Sequence, residues 1–283
     1  MSKLERKIDF AALITVNMAN SNGDPLNGNR PRVDYNGYGE ISDVCIKRKI
    51  RNRMQDMGQP IFVQSEDRCD DGMDSLSQRA SAALKGIKDR TEYAKAACEK
   101  WLDVRSFGQV FAFKSGKKDE SGVSVGVRGP VSIHQAVSIS PVDVLTQKIT
   151  KSVNGEPGEQ RSSDTMGSKH MVRFGLYLLK GSVNVQLAEK TGFSTEDAAV
   201  LKECLRTLFR NDVSAARPDG SMEVYKLYWW EHDCKDGQYS SGTVHHALHI
   251  KEKASVEPPS SVADYDITRD ELDGLKCEEL AGE

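Results

Sequence analysis

"IDFAALITVNM", Ile8–Met18, places Phe10, Ala12, Ile14, Val16 and Met18 on one side and more polar company on the other. A period of two predicts a strand with at least one buried face. Beyond a loop rich in Asn, Gly and Pro, "SDVCIKRKIRNRMQDMG" predicts a helix. Ser42 or Asp43 is suited to start it and Gly58 to end it. Ile46, Ile50, Met54 and Met57 form its apolar stripe, with Lys47, Arg48 and Arg51 grouped on another side. "PIFVQ" reads as a possible short strand, residues 74–103 as one or two helices ending near Trp101, and "DVRSFGQVFAF" (Asp103–Phe113) as a tight turn. "VSVGVRGPVSIHQAVSISP" (Val123–Pro141) is β-rich and broken at Gly129-Pro130. Residues 172–179 and 182–188 read as paired strands around Lys180-Gly181, with Val183, Val185 and Leu187 alternating. A helix follows from about Ser194 to Arg210, striped by Leu201, Leu205, Leu208 and Phe209, and then a strand, Met222–Trp230. The chain closes with loop, strand and an acidic helix.

Strand, helix, interruption, two strands, helix, strand is the βαββαβ order of a ferredoxin-like or RRM-like α+β fold. The sequence thus predicts one decorated domain over residues 1–255. Its insertions lie at 58–125, which is largely helical, and at 141–170, and residues 256–283 form an acidic tail.

Bulk properties set limits. Of 283 residues, 38% are hydrophobic, which suits a globular core, and no apolar run reaches the length of a membrane span. "MSKLERKIDF" lacks a secretory signal. The six cysteines show no C-x-x-C pair, so they read as reduced packing thiols of a cytoplasmic protein. The net charge of −3 is uneven: residues 251–283 carry four basic and ten acidic residues, which leaves the remainder positive. Distribution, rather than the total, decides whether a phosphate chain can bind.

The loop "NSNGDPLNGNRPR" (Asn20–Arg32) meets that condition. Its glycines permit close backbone approach, its Asn amides donate and accept, and Arg30 and Arg32 offer planar forks for phosphate. With Lys47 and Arg51, one helical turn apart, the loop can track a nucleic-acid backbone without reading bases. The bland alternative is a surface loop beside a solvated helix face. Residues 141–170 form a long excursion with Val153 and Met166 as lone apolar residues, either a wedge between bases or a floppy loop.

Enzymatic motifs are lacking: there is no phosphate-binding G-x-x-x-x-G-K-[ST] and no G-x-S-x-G elbow. His245 and His249 have a spacing that could hold a metal on a helix, but no Glu follows His245. His134 and His170 could act as acid and base on RNA, though structural or RNA-contacting roles suit them better. Tyr225, Tyr228, Trp229 and Trp230 could form a base platform, with core packing the default.

The order of segments resembles a known family. "NSNGDPLNGNRPRVDYNGYGEISDVCIKRKIRN", "DVRSFGQVFAF", "VRGPVSIHQAVSISPVDV", "SSDTMGSKHMVRFGLY" and "EVYKLYWW" follow one another as in the backbone subunit of type I CRISPR effectors, closest to the type I-C branch. The resemblance covers roughly residues 8–232. It implies a non-catalytic RNA-binding protein with an RRM-like palm, an inserted finger region at 58–125 and a protruding β-rich thumb at 141–170, needing no cofactor or metal. Copies stack along one CRISPR RNA, kink it periodically and leave bases free to pair with target DNA. The implied partners are the CRISPR RNA, the target DNA strand, other copies of the chain, and end-capping, large and small subunits, with no membrane. By position it assigns RNA contacts to Asn20, Ser21, Asn22, Asn27, Asn29, Arg30 and Arg32 in the loop, and to Lys47, Arg48 and Arg51 on the helix. It adds Ser106, Phe107 and Gly108 as a palm turn, Gln135, Lys148, Lys169 and His170 near the thumb base, and Met166 as the wedge. Two rivals are an RNA-processing endoribonuclease of the same RRM-like superfamily and a filament protein without nucleic acid.

Overall fold

The computed structural model describes residues 2–112, 124–150, 166–254 and 258–283. The first strand, β1 (Ile8–Ala19), runs antiparallel between β10 (Met166–Val183) and β11 (Met222–Glu231). Outward from β10 lie β8 (Ala136–Pro141) and β4 (Tyr38–Ile41), and outward from β11 lies β14 (Cys277–Ala281). The sheet order is therefore β14-β11-β1-β10-β8-β4. At eighteen residues β10 outruns its neighbours, spanning about 60 Å at a strand's rise per residue. Its last residues pair with β7 (Val131–Ile133). Its first residues pair with β9 (Val144–Thr150), from Met166↔Thr150 to Val172↔Val144, and make a two-stranded ribbon.

Both faces of the central strands are buried. Phe10, Ala12, Ile14 and Val16 face α1 (Asp43–Asp56) and α6 (Thr195–Arg206). In α1 the Ser42 hydroxyl accepts the Cys45 N–H, and Ile46, Ile50 and Met54 are wholly buried. In α6 Ser194 and Asp197 form a reciprocal capping box, and Leu201 and Leu205 go inward. Each such aliphatic side chain contributes roughly 1.5–3 kcal/mol on burial. On the opposite face Ala11, Leu13, Leu176, Tyr228 and Trp230 lie beneath α7 (Ser241–His246), β12 (Leu248–Glu252) and β13 (Tyr265–Arg269). The aromatic residues weighed as a base platform divide accordingly. Tyr228, Trp229 and Trp230 are core, and Tyr225 is exposed.

A second, smaller core gathers Phe62, Tyr93, Trp101 and Phe111 from α2 (Leu76–Ala83), α3 (Arg90–Lys100), α4 (Leu102–Phe107), β5 (Gly108–Ala112), β6 (Ser124–Arg128) and the segment around Phe62. Two carboxylates fasten it to the main core. The wholly buried Asp103 accepts the Phe62 and Val63 N–H groups at 2.7 and 3.1 Å and the Arg51 Nε at 2.9 Å. Asp197 holds the Arg105 guanidinium by two bonds, at 2.8 and 2.9 Å, while Arg105 Nη1 donates to the Cys98 carbonyl.

Several sequence expectations need correction. "PIFVQ" is not a strand; its backbone instead serves Asp103 and Arg48. Asp103–Phe107 is helical, and the turn is confined to Gly108, whose φ is 80° and whose added Cβ would collide with the Val127 carbonyl. Residues 172–179 and 182–188 are not a hairpin. The strand continues through Lys180-Gly181 to Val183, and residues 185–191 form helix α5 (Val185–Thr191). The Asn184 side chain accepts the Leu187 N–H and caps that helix, which overrides the apparent alternation. Between α1 and α6, strands β8 and β10 pair antiparallel in the large sheet.

Among the described residues, the acidic end forms strands rather than the expected helix. Within it β13 pairs with β12, and β14 pairs with β11. Ion pairs Lys202–Glu278 at 2.6 Å and Lys226–Glu279 at 3.0 Å flank β14. Glu283 closes on Arg206 and Arg210 just past the end of α6. At the other end of α6, the Ser2 N–H donates to Glu196 at 3.0 Å.

Arg105→Ala strands the Asp197 carboxylate in the interior. It should lower unfolding stability by about 3–5 kcal/mol in a urea titration; a loss within error of zero would mean the bridge does not join the two cores.

Candidate nucleic-acid interface

The loop after β1 is built by its own polar side chains. Asp24 ends β2 (Gly23–Asp24) and accepts the Leu26 N–H at the start of a short 3-10 turn, Pro25–Asn27. Gly28 and Asn29 adopt positive φ, which turns the chain back as β3 (Arg30–Pro31). Asn20, nearly buried, donates to the Asn29 carbonyl at 2.7 Å. Asn22 accepts both the N–H and the hydroxyl of Ser42 at 2.9 Å, so it locks the loop to the start of α1. Ser21 is buried. Asn20, Ser21 and Asn22 therefore shape the loop, whereas Asn27 and Asn29 stand at its exposed tip. Arg32 is partly exposed, with Asp24 at 3.6 Å.

Arg30 leaves this hairpin and reaches the ribbon. Its Nη1 donates to Thr146 Oγ1 at 3.0 Å and lies 3.4 Å from His170 Nδ1, itself 3.0 Å from Thr146 Oγ1. One step along, Lys148 Nζ donates to Ser168 Oγ at 3.0 Å. The register explains the grouping. Thr146↔His170, Lys148↔Ser168 and Thr150↔Met166 are alternate cross-strand pairs, so all six side chains share one face. Met166, 58% exposed, is the last described residue on that face before residues 151–165, which lie outside the described residues together with Val153. Lys169, paired opposite Gln147, is on the other face.

Electrostatics distinguishes this cluster. Arg30 and Lys148 have hydroxyl and imidazole partners, and among the described residues neither forms an ion pair with a carboxylate. Partial desolvation, then the Arg30 and Lys148 charges, hold the His170 pKa below its ordinary 6.5. Accepting at Nδ1 suits the neutral ring with its proton on Nε2. The patch can donate hydrogen bonds and hold an anion.

The basic helix is different. Lys47 is paired with Asp43 at 3.0 Å, Arg48 donates to the Val63 carbonyl at 2.6 Å, and Arg51 is held by Asp103 with its guanidinium 5.1 Å from the Phe107 ring centre. Arg48 and Arg51 thus tie α1 to the helical region. Ser106 is buried with its hydroxyl on the Leu102 carbonyl, and Phe107 and Gly108 complete that junction. Gln135 is exposed and donates to Glu40 at 2.9 Å across the β4–β8 edge. Thr146 and Ser168 were missed by residue type; only the ribbon register reveals them.

The histidine expectations separate too. His245 lies near the end of α7 and His249 on β12, where it meets Asp270 at 2.8 Å, so they do not share a helix face. His134 stacks edge-on to His245 with ring centres 6.1 Å apart. Among the described residues no group of His, Cys, Asp or Glu is arranged to hold a metal, and no helix is long and apolar enough to cross a membrane.

Two measurements check this geometry. His170 followed by NMR should titrate below 6.5, and Arg30→Ala should raise its midpoint by removing a nearby cation; an unchanged midpoint would deny the contact. Arg51→Ala should lower stability by about 3 kcal/mol, because Asp103 loses its buried counter-charge, and equilibrium denaturation reads that loss directly.

Comparison with known proteins bears on what such a chain is. The family described as CRISPR-associated protein Cas7 matches residues 6–270. A CRISPR-associated protein Cas7 of Haloferax volcanii is 26% identical over 269 residues, covering 89% of this chain and 77% of the relative. Among solved structures, a chain of a "CRISPR RNA-guided surveillance complex, pre-nicking" superposes with a TM-score of 0.47 at 15% identity, covering 79% of this chain and 78% of that one. A chain of another "CRISPR RNA-guided surveillance complex" gives 0.44 at 17%, covering 79% and 68%. With the family match extending over nearly its whole length, the chain belongs to the CRISPR-associated protein Cas7 family.

Proposed function

We propose that the protein is a non-catalytic backbone subunit of a type I-C CRISPR surveillance complex, which polymerises along a guide RNA and grips its phosphates. The observation that carries this reading is the Arg30–Thr146–His170–Lys148 cluster, cationic and, among the described residues, without a carboxylate ion pair, on one face at the base of the ribbon. The order β11-β1-β10-β8, with α1 and α6 packed on one side, supports an RRM-like palm, and the β9–β10 ribbon supports a thumb. Met166 at the described end of that ribbon is the wedge that kinks the RNA, and bases between kinks remain free for target DNA. Further copies of the chain and the end-capping, large and small subunits complete the assembly.

Within this reading Arg30, Lys148, Lys169 and His170 contact phosphate and ribose, joined by Asn27, Asn29 and Arg32 at the loop tip. Lys47 adds a charge from α1, and Gln135 a polar contact from the neighbouring edge. Arg48, Arg51 and the Ser106–Gly108 junction keep the helical region in place, and Asn20, Ser21 and Asn22 hold the loop. Contacts to phosphate, ribose and kinked shape suit a protein that must accept any guide sequence.

Replacing Arg30 and Lys148 together by Ala should weaken binding to unrelated single-stranded RNAs alike. It should also flatten the slope of log K against log salt by roughly one to two. Filter binding at several salt concentrations measures both, and a loss confined to one RNA sequence would refute backbone gripping. Ribonuclease treatment of the purified assembly should shorten it, whereas a filament without nucleic acid would ignore the enzyme.

A further inference from the structure

Two apolar side chains beside this cluster are held out into solvent by rigid turns. Tyr35 has a relative exposure of 102%, and Leu26 one of 98%. Neither sits on a loose loop. Asp34 Oδ1 accepts the N–H groups of Asn36 and Tyr38, both at 2.8 Å, and the Asp34 N–H donates to the Tyr38 carbonyl. Gly37 closes that turn at a φ of 85°, and its carbonyl accepts the Val142 N–H at 2.9 Å. The turn is thereby pinned to the segment that enters the ribbon at Val144. Leu26 stands on the capped 3-10 turn four residues before Arg30, the residue that reaches Thr146 and His170.

The surroundings indicate what covers them. A protein partner would favour a wide apolar patch with charge at its rim. Here the Leu26 tip and the Tyr35 ring instead lie on either side of Arg30 and Arg32 along the chain, in a segment continuous with the phosphate-binding candidate. An exposed aromatic face next to guanidinium groups is the combination that holds unpaired nucleobases while phosphates are gripped alongside. We infer that Tyr35 is a base-stacking residue: its ring lies against an unpaired base of single-stranded RNA, with Leu26 packing on a neighbouring base or ribose. This rests on the guide-binding reading above and adds to it a contact with the base plane. Stacking is indifferent to base identity, so the contact fixes the position of the bases without selecting a sequence.

The test uses the full-length protein and mixed-sequence single-stranded RNA carrying a fluorescent aminopurine at successive positions. The wild type should quench the probe at particular positions. Tyr35→Phe should preserve the quenching, while Tyr35→Ala and Tyr35→Leu should abolish it and weaken binding about tenfold. The salt slope should stay unchanged, because no phosphate contact is lost. Equal quenching and equal affinity in all variants would overturn the stacking role while leaving backbone gripping intact. Shortened assemblies from Tyr35→Ala or Leu26→Ser, with quenching unchanged, would overturn it in favour of a contact between protein copies. Failure of the wild type to bind RNA at low salt would overturn both this inference and the reading it rests on. Near-ultraviolet circular dichroism matching the wild type shows that a variant keeps its fold.

Discussion

The backbone hydrogen bonding of β10 ties the site to the core. One continuous strand pairs with β1 in the middle of the sheet, with β7 and β8 beside it, and with β9 beyond it. A strand has no freedom to rotate its side chains between faces; a slip of one residue would invert every position along it. The register fixed by Ile8↔Val183 and Tyr177 in the sheet therefore also decides that Ser168 and His170 share a face with Thr146 and Lys148. Tyr177 reinforces that register. Its ring occupies the space where Gly39 and Gly175 carry no side chain, and burial pushes its hydroxyl pKa up to about 12.

A second constraint governs which cations remain available. Asp103 and Asp197 each take up an arginine while satisfying backbone N–H groups, and in doing so join the helical region to the sheet. Removing a charge from such a pair costs more than the pair itself contributes, because the remaining partner stays desolvated. Arg51 and Arg105 are for that reason fold residues. Lys49 is a third, buried against Asp212. Arg30 and Lys148, partnered by neutral groups, keep their charge toward solvent. Burial and partner, rather than residue type, separate the two classes.

The sequence makes the buried elements legible and the wet ones obscure. Ile46, Ile50 and Met54 announce α1, and Leu201 and Leu205 announce α6, because one side of each helix must exclude water. The alternation of β1 is equally plain, although Ala11 and Leu13 show that its other face is buried too. The ribbon carries no such pattern. Lys148, Thr150, Ser168 and Lys169 meet solvent in varying degree, so no apolar period marks these strands. Residues 183–187 failed for the opposite reason: three alternating apolar residues fit a strand or one turn of helix, and the Asn184 cap decides between them. At the site, Arg30, Lys148 and His170 are legible by chemistry. Thr146 and Ser168 depend on register, and the role of Arg51 depends on a carboxylate fifty-two residues away.

Helix α6 has a topological consequence. The Ser2 amide is fastened at its first turn and Glu283 just beyond its last. A twelve-residue helix is only about 18 Å long. The path that winds through the whole sheet thus returns almost to its origin, and the fold is close to a closed ring with α6 as its clasp. A linker of about ten residues is long enough to span that distance between residues 2 and 283. A new opening at the Gly220 turn, where φ is already positive and the chain is exposed, would leave every sheet pairing intact. Chain order is then separable from architecture in this molecule, and the ribbon and its cationic face would stand at the same place in a rearranged chain.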